Sequence, residues 1–149
     1  MKELTNFVKT TLLLLWQLPQ TAIGFFLLVC FLCVPCAKFH KIRKAKKIRI
    51  NGALCWVMEL PSFFRGSFSL GSFIFLSVNA SSFTLAHECG HTYASFLLGP
   101  MYLPVIGLCG CVFAYWINYR FLKRSYAWYR SFWTEKWADA AANLLDVRY

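Results

Sequence analysis

Hydrophobic positions along this chain fall into blocks of three kinds. Residues 10–37 are almost continuously apolar, interrupted by the stretch Trp16-Gln17-Leu18-Pro19-Gln20. This block predicts either one long helix kinked at Pro19, or an interfacial helix over 7–17 followed by a membrane-crossing helix over 21–37. Residues 48–79 change to short runs rich in Phe, Ile, Val and Leu, broken by Asn51-Gly52, Pro61, Gly66 and Gly71. The runs predict strands at 48–50, 54–60 and 72–77, with Asn51-Gly52 as a hairpin turn and a small antiparallel sheet as the result. Residues 82–98 form a run that can be helical, ended by the helix stop Leu98-Gly99-Pro100. A second strongly apolar run, 101–118, is long enough for a bilayer that is slightly thinned or crossed at a tilt. Residues 131–145 read as a helix by propensity, with Ser131 or Thr134 as N-cap candidates.

Composition turns this pattern toward the membrane. Of 149 residues, enough for one domain, 58% are hydrophobic and 19% aromatic, so several segments must be buried in lipid or in a partner. The formal charge of +10 sits beside the apolar runs. That placement reads as membrane-flanking charge rather than as a nucleic-acid surface. Seven Lys or Arg lie in 38–50 against two before the first block, which puts 38–50 on the cytoplasmic side. Residues 119–130 are basic as well. Both stretches stay cytoplasmic if the helix 82–98 dips into the membrane and forms a hairpin with 101–118. A cleaved signal peptide fits poorly, because the apolar region is too long and Pro35-Cys36-Ala37 is a poor cleavage site.

The expected fold class is therefore a mainly α integral membrane protein with a small antiparallel β element. It is expected to be multi-pass in the inner cell membrane, with the lipid bilayer as partner and no nucleic acid. Three parts are expected: an anchor over 1–37, a basic segment and sheet over 38–80, and a core over 81–149 containing the membrane helix 101–118. Seven cysteines, an odd number scattered through apolar stretches, do not form a disulfide framework. Cys33-x-x-Cys36 has metal-ligand spacing but no second pair nearby.

The chemistry lies in His87-Glu88-Cys89-Gly90-His91. On a helix, His87 and His91 are one turn and about 40° apart, with Glu88 in the same third of the circumference. Two imidazoles can then share one Zn²⁺ beside a carboxylate base. Cys89 points about 100° away and reads as packing. The chain has three histidines and two are here, in an apolar segment where unpaired imidazoles would be costly. A third ligand must come from few residues. Of six acidic side chains, Glu3 is at the N-terminus, Glu59 falls in the expected sheet, Asp146 is near the end and Glu88 is the base, which leaves Glu135 and Asp139. Glu135 is assigned to the metal and Asp139 to the ring N–H of a ligand histidine; the reverse assignment stays open.

His87-Glu88-x-x-His91 followed by Glu135-Lys-Trp-Ala138-Asp139 resembles the H-E-x-x-H plus E-x-x-A-D pattern of gluzincin membrane metalloproteases, the group of the CAAX prenyl endopeptidase and the bacterial heat-shock membrane protease. The chain is also similar to short bacterial membrane proteins with H-E-x-G-H, L-G-P-x-Y-L-x-V-I-G and T-E-x-W-A. Here these match His87 to His91, Leu98 to Gly107 and Thr134 to Ala138, and Trp16 to Gln20 is shared too. The resemblance implies a zincin-like pair of packed helices, zinc on His87, His91 and Glu135, Glu88 as general base and Asp139 as orienting carboxylate. It implies peptide hydrolysis near the cytoplasmic face, on a peptide or membrane-protein substrate. Two other readings stand beside it: a membrane protein whose zinc site is structural or degenerate, and a basic adaptor in which the motif is accidental. No residue is assignable to the oxyanion, with Tyr93, Tyr126, Arg130 and His40 available.

Overall fold

Asn51 and Gly52 both take positive φ, 49° and 86°, as a two-residue hairpin turn requires. They join β1 (Ala45–Ile50) to β2 (Ala53–Glu59) as an antiparallel pair with Ile50 opposite Ala53. The computed structural model that shows this describes residues 2–33, 45–60 and 66–148; residues 38–44, with His40, and also Cys36 and Pro61 lie outside them. A second hairpin, β3 (Phe68–Leu70) and β4 (Phe73–Leu76), attaches with β4 parallel to β2, Val57 facing Ile74. The chain end returns as β5 (Val147–Arg148) on β1. The result is a mixed five-stranded sheet in the order β3-β4-β2-β1-β5.

Both faces of this sheet are covered, which explains why its strands read as apolar runs instead of clean alternations. On one face Ile48, Ile50, Cys55, Val57 and Ile74 pack with Cys89 and Phe96 of α3 (Ser82–Leu98) and with Leu13 of α1 (Lys2–Trp16). On the other, Met58, Leu60, Phe73 and Phe75 pack with Leu27, Leu28 and Phe31 of α2 (Leu18–Cys33). After α3 come a 3₁₀ turn (Gly99–Met101), a helix of π type (Leu103–Phe121), α4 (Tyr126–Arg130) and α5 (Trp133–Ala142).

Several expectations are corrected here. The architecture is a mixed α/β one, not a mainly α membrane protein, and the sheet is not purely antiparallel. No single helix among the described residues is long and apolar enough to cross a membrane; only α1 and α2 pass that test jointly, and they are bent by 93°. The expected multi-pass placement in the inner membrane, and with it the membrane hairpin of 82–98 and 101–118, is not what the chain forms. The bend falls at Gln17 because the Pro19 ring clashes with the carbonyl four residues earlier and cannot donate to it. The run 101–118 lies, from Leu103 on, in the π-type helix, which buries Ile106, Gly110, Ala114 and Asn118 at four-residue spacing within the protein. Hydropathy measures how apolar a segment is and not whether lipid or a sheet covers it. α3, read as a membrane hairpin arm, instead packs on the sheet and on α5.

One glycine is pinned by geometry. Gly99 closes α3 at φ 52°, ψ −131°, and the Trp16 ring occupies the place a Cβ would take. Gly99→Ala is expected to destabilise the chain by roughly 2–4 kcal/mol, read as a lower urea midpoint at unchanged slope.

Candidate metal centre

α3 begins at a Ser81 N-cap whose hydroxyl accepts from the Thr84 N–H, and the helix then runs unbroken through His87, Glu88 and His91. α5 crosses it at a position where two backbones can touch. Gly90 lies against the Ala138 carbonyl, and any Cβ at 90 would overlap that oxygen. Glu135 and Asp139, one turn apart on α5, are thereby brought onto the histidine face. α5 starts from Phe132, without a side-chain cap, so neither Ser131 nor Thr134 serves as its N-cap. Ser131 instead closes α4, and the Thr134 hydroxyl is buried beside Gly110 without a hydrogen bond.

His87, His91 and Glu135 form a cluster whose ligand atoms all lie within 4.8 Å of one another. His87 Nε2 is 3.3 Å from Glu135 Oε2, and His91 Nε2 is 3.6 Å from Glu135 Oε1. Donors about 2.0–2.1 Å from one tetrahedral ion stand roughly 3.4 Å apart, so this spacing suits a single metal ion. The two imidazoles meet edge to face, with centroids 4.8 Å apart. Asp139 Oδ1 accepts from His87 Nδ1 at 2.7 Å, which assigns the proton to Nδ1 and leaves Nε2 for the metal. Among the described residues it is Glu135, not Asp139, that converges with both ring nitrogens.

Electrostatics separates the two glutamates of the centre. Glu135 is buried, yet its contacts with His87 and His91 hold its carboxyl far below the usual range. Burial alone would lower His87, but hydrogen bonds to Glu135 and Asp139 override it and raise its pKa. Glu88 is different. Burial raises its pKa, the two histidines only partly oppose this, and its Oε2 has no hydrogen-bond partner among the described residues.

Arg130 is the residue whose place the chain pattern left undecided. Its guanidinium donates to both oxygens of Asp139, at 2.9 and 2.8 Å, and to Glu135 Oε2 at 3.2 Å, and it touches His87 Nε2 at 3.1 Å. It lies five residues before Glu135, inside a basic aromatic stretch that hydropathy assigns to a membrane interface. Of the other oxyanion candidates, His40 is outside the described residues, and Tyr93 packs on the sheet core. Tyr129 was not anticipated; burial and the neighbouring Glu135 push its phenol upward. Ser69 and Tyr102 were not singled out either. The Ser69 hydroxyl on β3 lies beside Glu88 and is buried without a hydrogen bond of good geometry, and Tyr102 is buried close to both. Cys89 sits in the sheet core with Cys55, away from the ligand face, and burial pushes its thiol up to about 12.

Asp139→Asn keeps the shape and removes the charge that both His87 and Arg130 use. Metal affinity is expected to fall about 10–100-fold with an unchanged far-ultraviolet spectrum, measured by competition with a chelator. Comparison of the chain with protein-family models, with curated proteins and with solved structures finds no match in any of the three, and the centre is described by its own geometry: a His87, His91 and Glu135 triad able to hold a metal ion.

Proposed function

We propose that the chain is a zinc-dependent peptide hydrolase, with zinc held by His87, His91 and Glu135. The donor set of two imidazoles and one carboxylate suits zinc with an open position. Zinc bound there would polarise a carbonyl and acidify water. Glu88 takes the proton from the attacking water and returns it to the leaving amine. Arg130 orients Asp139, which in turn keeps His87 in the tautomer with its proton on Nδ1 and its lone pair on Nε2. The observation that carries this reading is Glu88: a buried carboxylate with an unpartnered oxygen, set next to a ligand histidine, is a stability cost that a structural site does not need.

A polypeptide is the proposed substrate because β3 is the terminal strand of the sheet and carries Ser69 beside Glu88. An extended peptide added to that edge would bring a carbonyl to the centre. The experiment is incubation of the purified chain with a mixed peptide library, with zinc, after chelation, and after zinc is restored. Cleavage that disappears on chelation and returns with zinc is expected. A zinc-loaded, folded chain that cleaves no member of the library contradicts the proposal.

One observation favours a second reading, a metal-binding but non-hydrolytic protein. Arg130 pairs with Asp139 and Glu135, and both carboxylates meet His87, so α3, α4 and α5 are held together by an ionic cluster irrespective of turnover. In that case metal removal lowers the thermal midpoint and no peptide is cleaved under any condition.

A further inference from the structure

The bend between α1 and α2 carries two glutamines that are fully buried, Gln17 and Gln20. Gln17 Nε2 donates to Ser72 Oγ at 2.7 Å, and Gln17 Oε1 accepts from Ser95 Oγ at 2.7 Å. Gln20 Nε2 donates to Ser95 Oγ at 2.9 Å and to the Gly99 carbonyl at 2.8 Å. Ser72 belongs to the turn between β3 and β4, while Ser95 and Gly99 belong to the end of α3. The fit leaves no slack, since Trp16 covers Gly99 and Thr21 occupies the place of a Cβ on Gly71. The Trp16 to Gln20 stretch and the Leu98-Gly99-Pro100 stop, far apart in sequence, thus form one joint.

We propose that Gln17 and Gln20 are positioning residues for the metal centre, a clasp that sets the rotation of α3 about its axis and its distance from the β3 edge. This rests on the metal reading of His87, His91 and Glu135. Ser95 follows His91 by four residues and His87 by eight, so a torque applied at Ser95 is transmitted along the face that carries both ligands. At the radius of the side chains, about 5–6 Å, a rotation of roughly 20° displaces a ring nitrogen by about 2 Å. Metal ligation tolerates about 0.2 Å. Apolar packing of α3 on the sheet is non-directional and leaves that rotation soft, whereas four directional bonds to fixed partners do not. The same clasp ties the β3–β4 turn, and so Ser69, to the helix that carries Glu88.

Two variants test this, with cobalt(II) as the probe because its visible bands report ligand geometry. Ser95→Ala removes one oxygen. Gln17→Met with Ser72→Ala and Ser95→Ala removes the Gln17 arm of the clasp together with both of its serine partners, so that none of the three is left orphaned. Well below their thermal midpoints, both are expected to bind one cobalt about tenfold more weakly or worse than the unmodified chain, with altered bands. Ile50→Val, in the sheet core on β1 and two strands away from β4, is expected to lower the midpoint and leave affinity and bands unchanged. Unmodified affinity and bands in Ser95→Ala overturn the proposal, as does an equal loss in Ile50→Val. An unmodified chain that takes up no cobalt overturns the metal reading itself, and is recognised before any variant is made.

Discussion

Glu88→Gln is expected to abolish the proposed peptide hydrolysis and, in the metal-free chain, to raise stability. Loss of a general base removes roughly 10²–10⁴-fold of rate, while zinc affinity stays within a few fold because Glu88 is not among the ligands. The stability effect follows from burial. Glu88 is 5% exposed, its Oε2 has no partner, and its pKa is raised in the fold. A carboxyl whose folded pKa lies above its unfolded value is favoured by the fold while protonated and disfavoured once charged. The penalty is therefore absent below the unfolded value, grows as pH rises through the folded value, and is complete above it. Glutamine, neutral throughout, escapes it. At neutral pH the variant is expected to gain roughly 1–2 kcal/mol, or about 2–6 °C in Tm, and the gain is expected to vanish in acid. Equal midpoints of the two chains at neutral pH would contradict this account of Glu88.

Gly90→Ala is expected to be the most damaging single methyl in the chain. Its Cβ would overlap the Ala138 carbonyl, an atom fixed within the backbone of α5. The helices must separate, and the separation falls midway between His87 and His91 on one side and Glu135 and Asp139 on the other. A cost of about 3 kcal/mol or more is expected, from overpacking with no side chain able to yield. Zinc affinity should drop at least about 100-fold in any variant that folds, since ligand distances open by more than the metal tolerates. Chemical denaturation and chelator competition read the two effects. A Gly90→Ala chain with unmodified zinc affinity would show that the close crossing does not set the site.

Local chemistry was legible along the chain, and the covering of its apolar segments was not. Asn51-Gly52 announces its hairpin because few dipeptides accept positive φ twice, and Leu98-Gly99-Pro100 marks the helix end for the same kind of reason. The helical spacing of His87 and His91, with Glu135 and Asp139 left by elimination, was enough to anticipate which side chains meet. The apolar runs 10–37 and 101–118 read alike whether lipid or protein covers them, and this is where the membrane expectation failed. The parallel pairing of β4 with β2 is a long-range choice with no local signature. Arg130 was visible as a basic residue only. Its meeting with Asp139 and Glu135 depends on the turn of chain between α4 and α5. Gln17 and Gln20 looked like an interruption in an apolar block, and they are its most fully buried polar side chains.

The central claim is that one zinc is held by His87, His91 and Glu135, and zinc-edge X-ray absorption of the loaded chain tests it most directly. The expected spectrum has only nitrogen and oxygen neighbours at about 2.0–2.1 Å, with the outer-shell scattering of two imidazoles, and it is lost in Glu135→Ala. A sulfur neighbour at about 2.3 Å, which would bring Cys89 or another thiol to the metal, or a chain that retains no stoichiometric zinc, would contradict it.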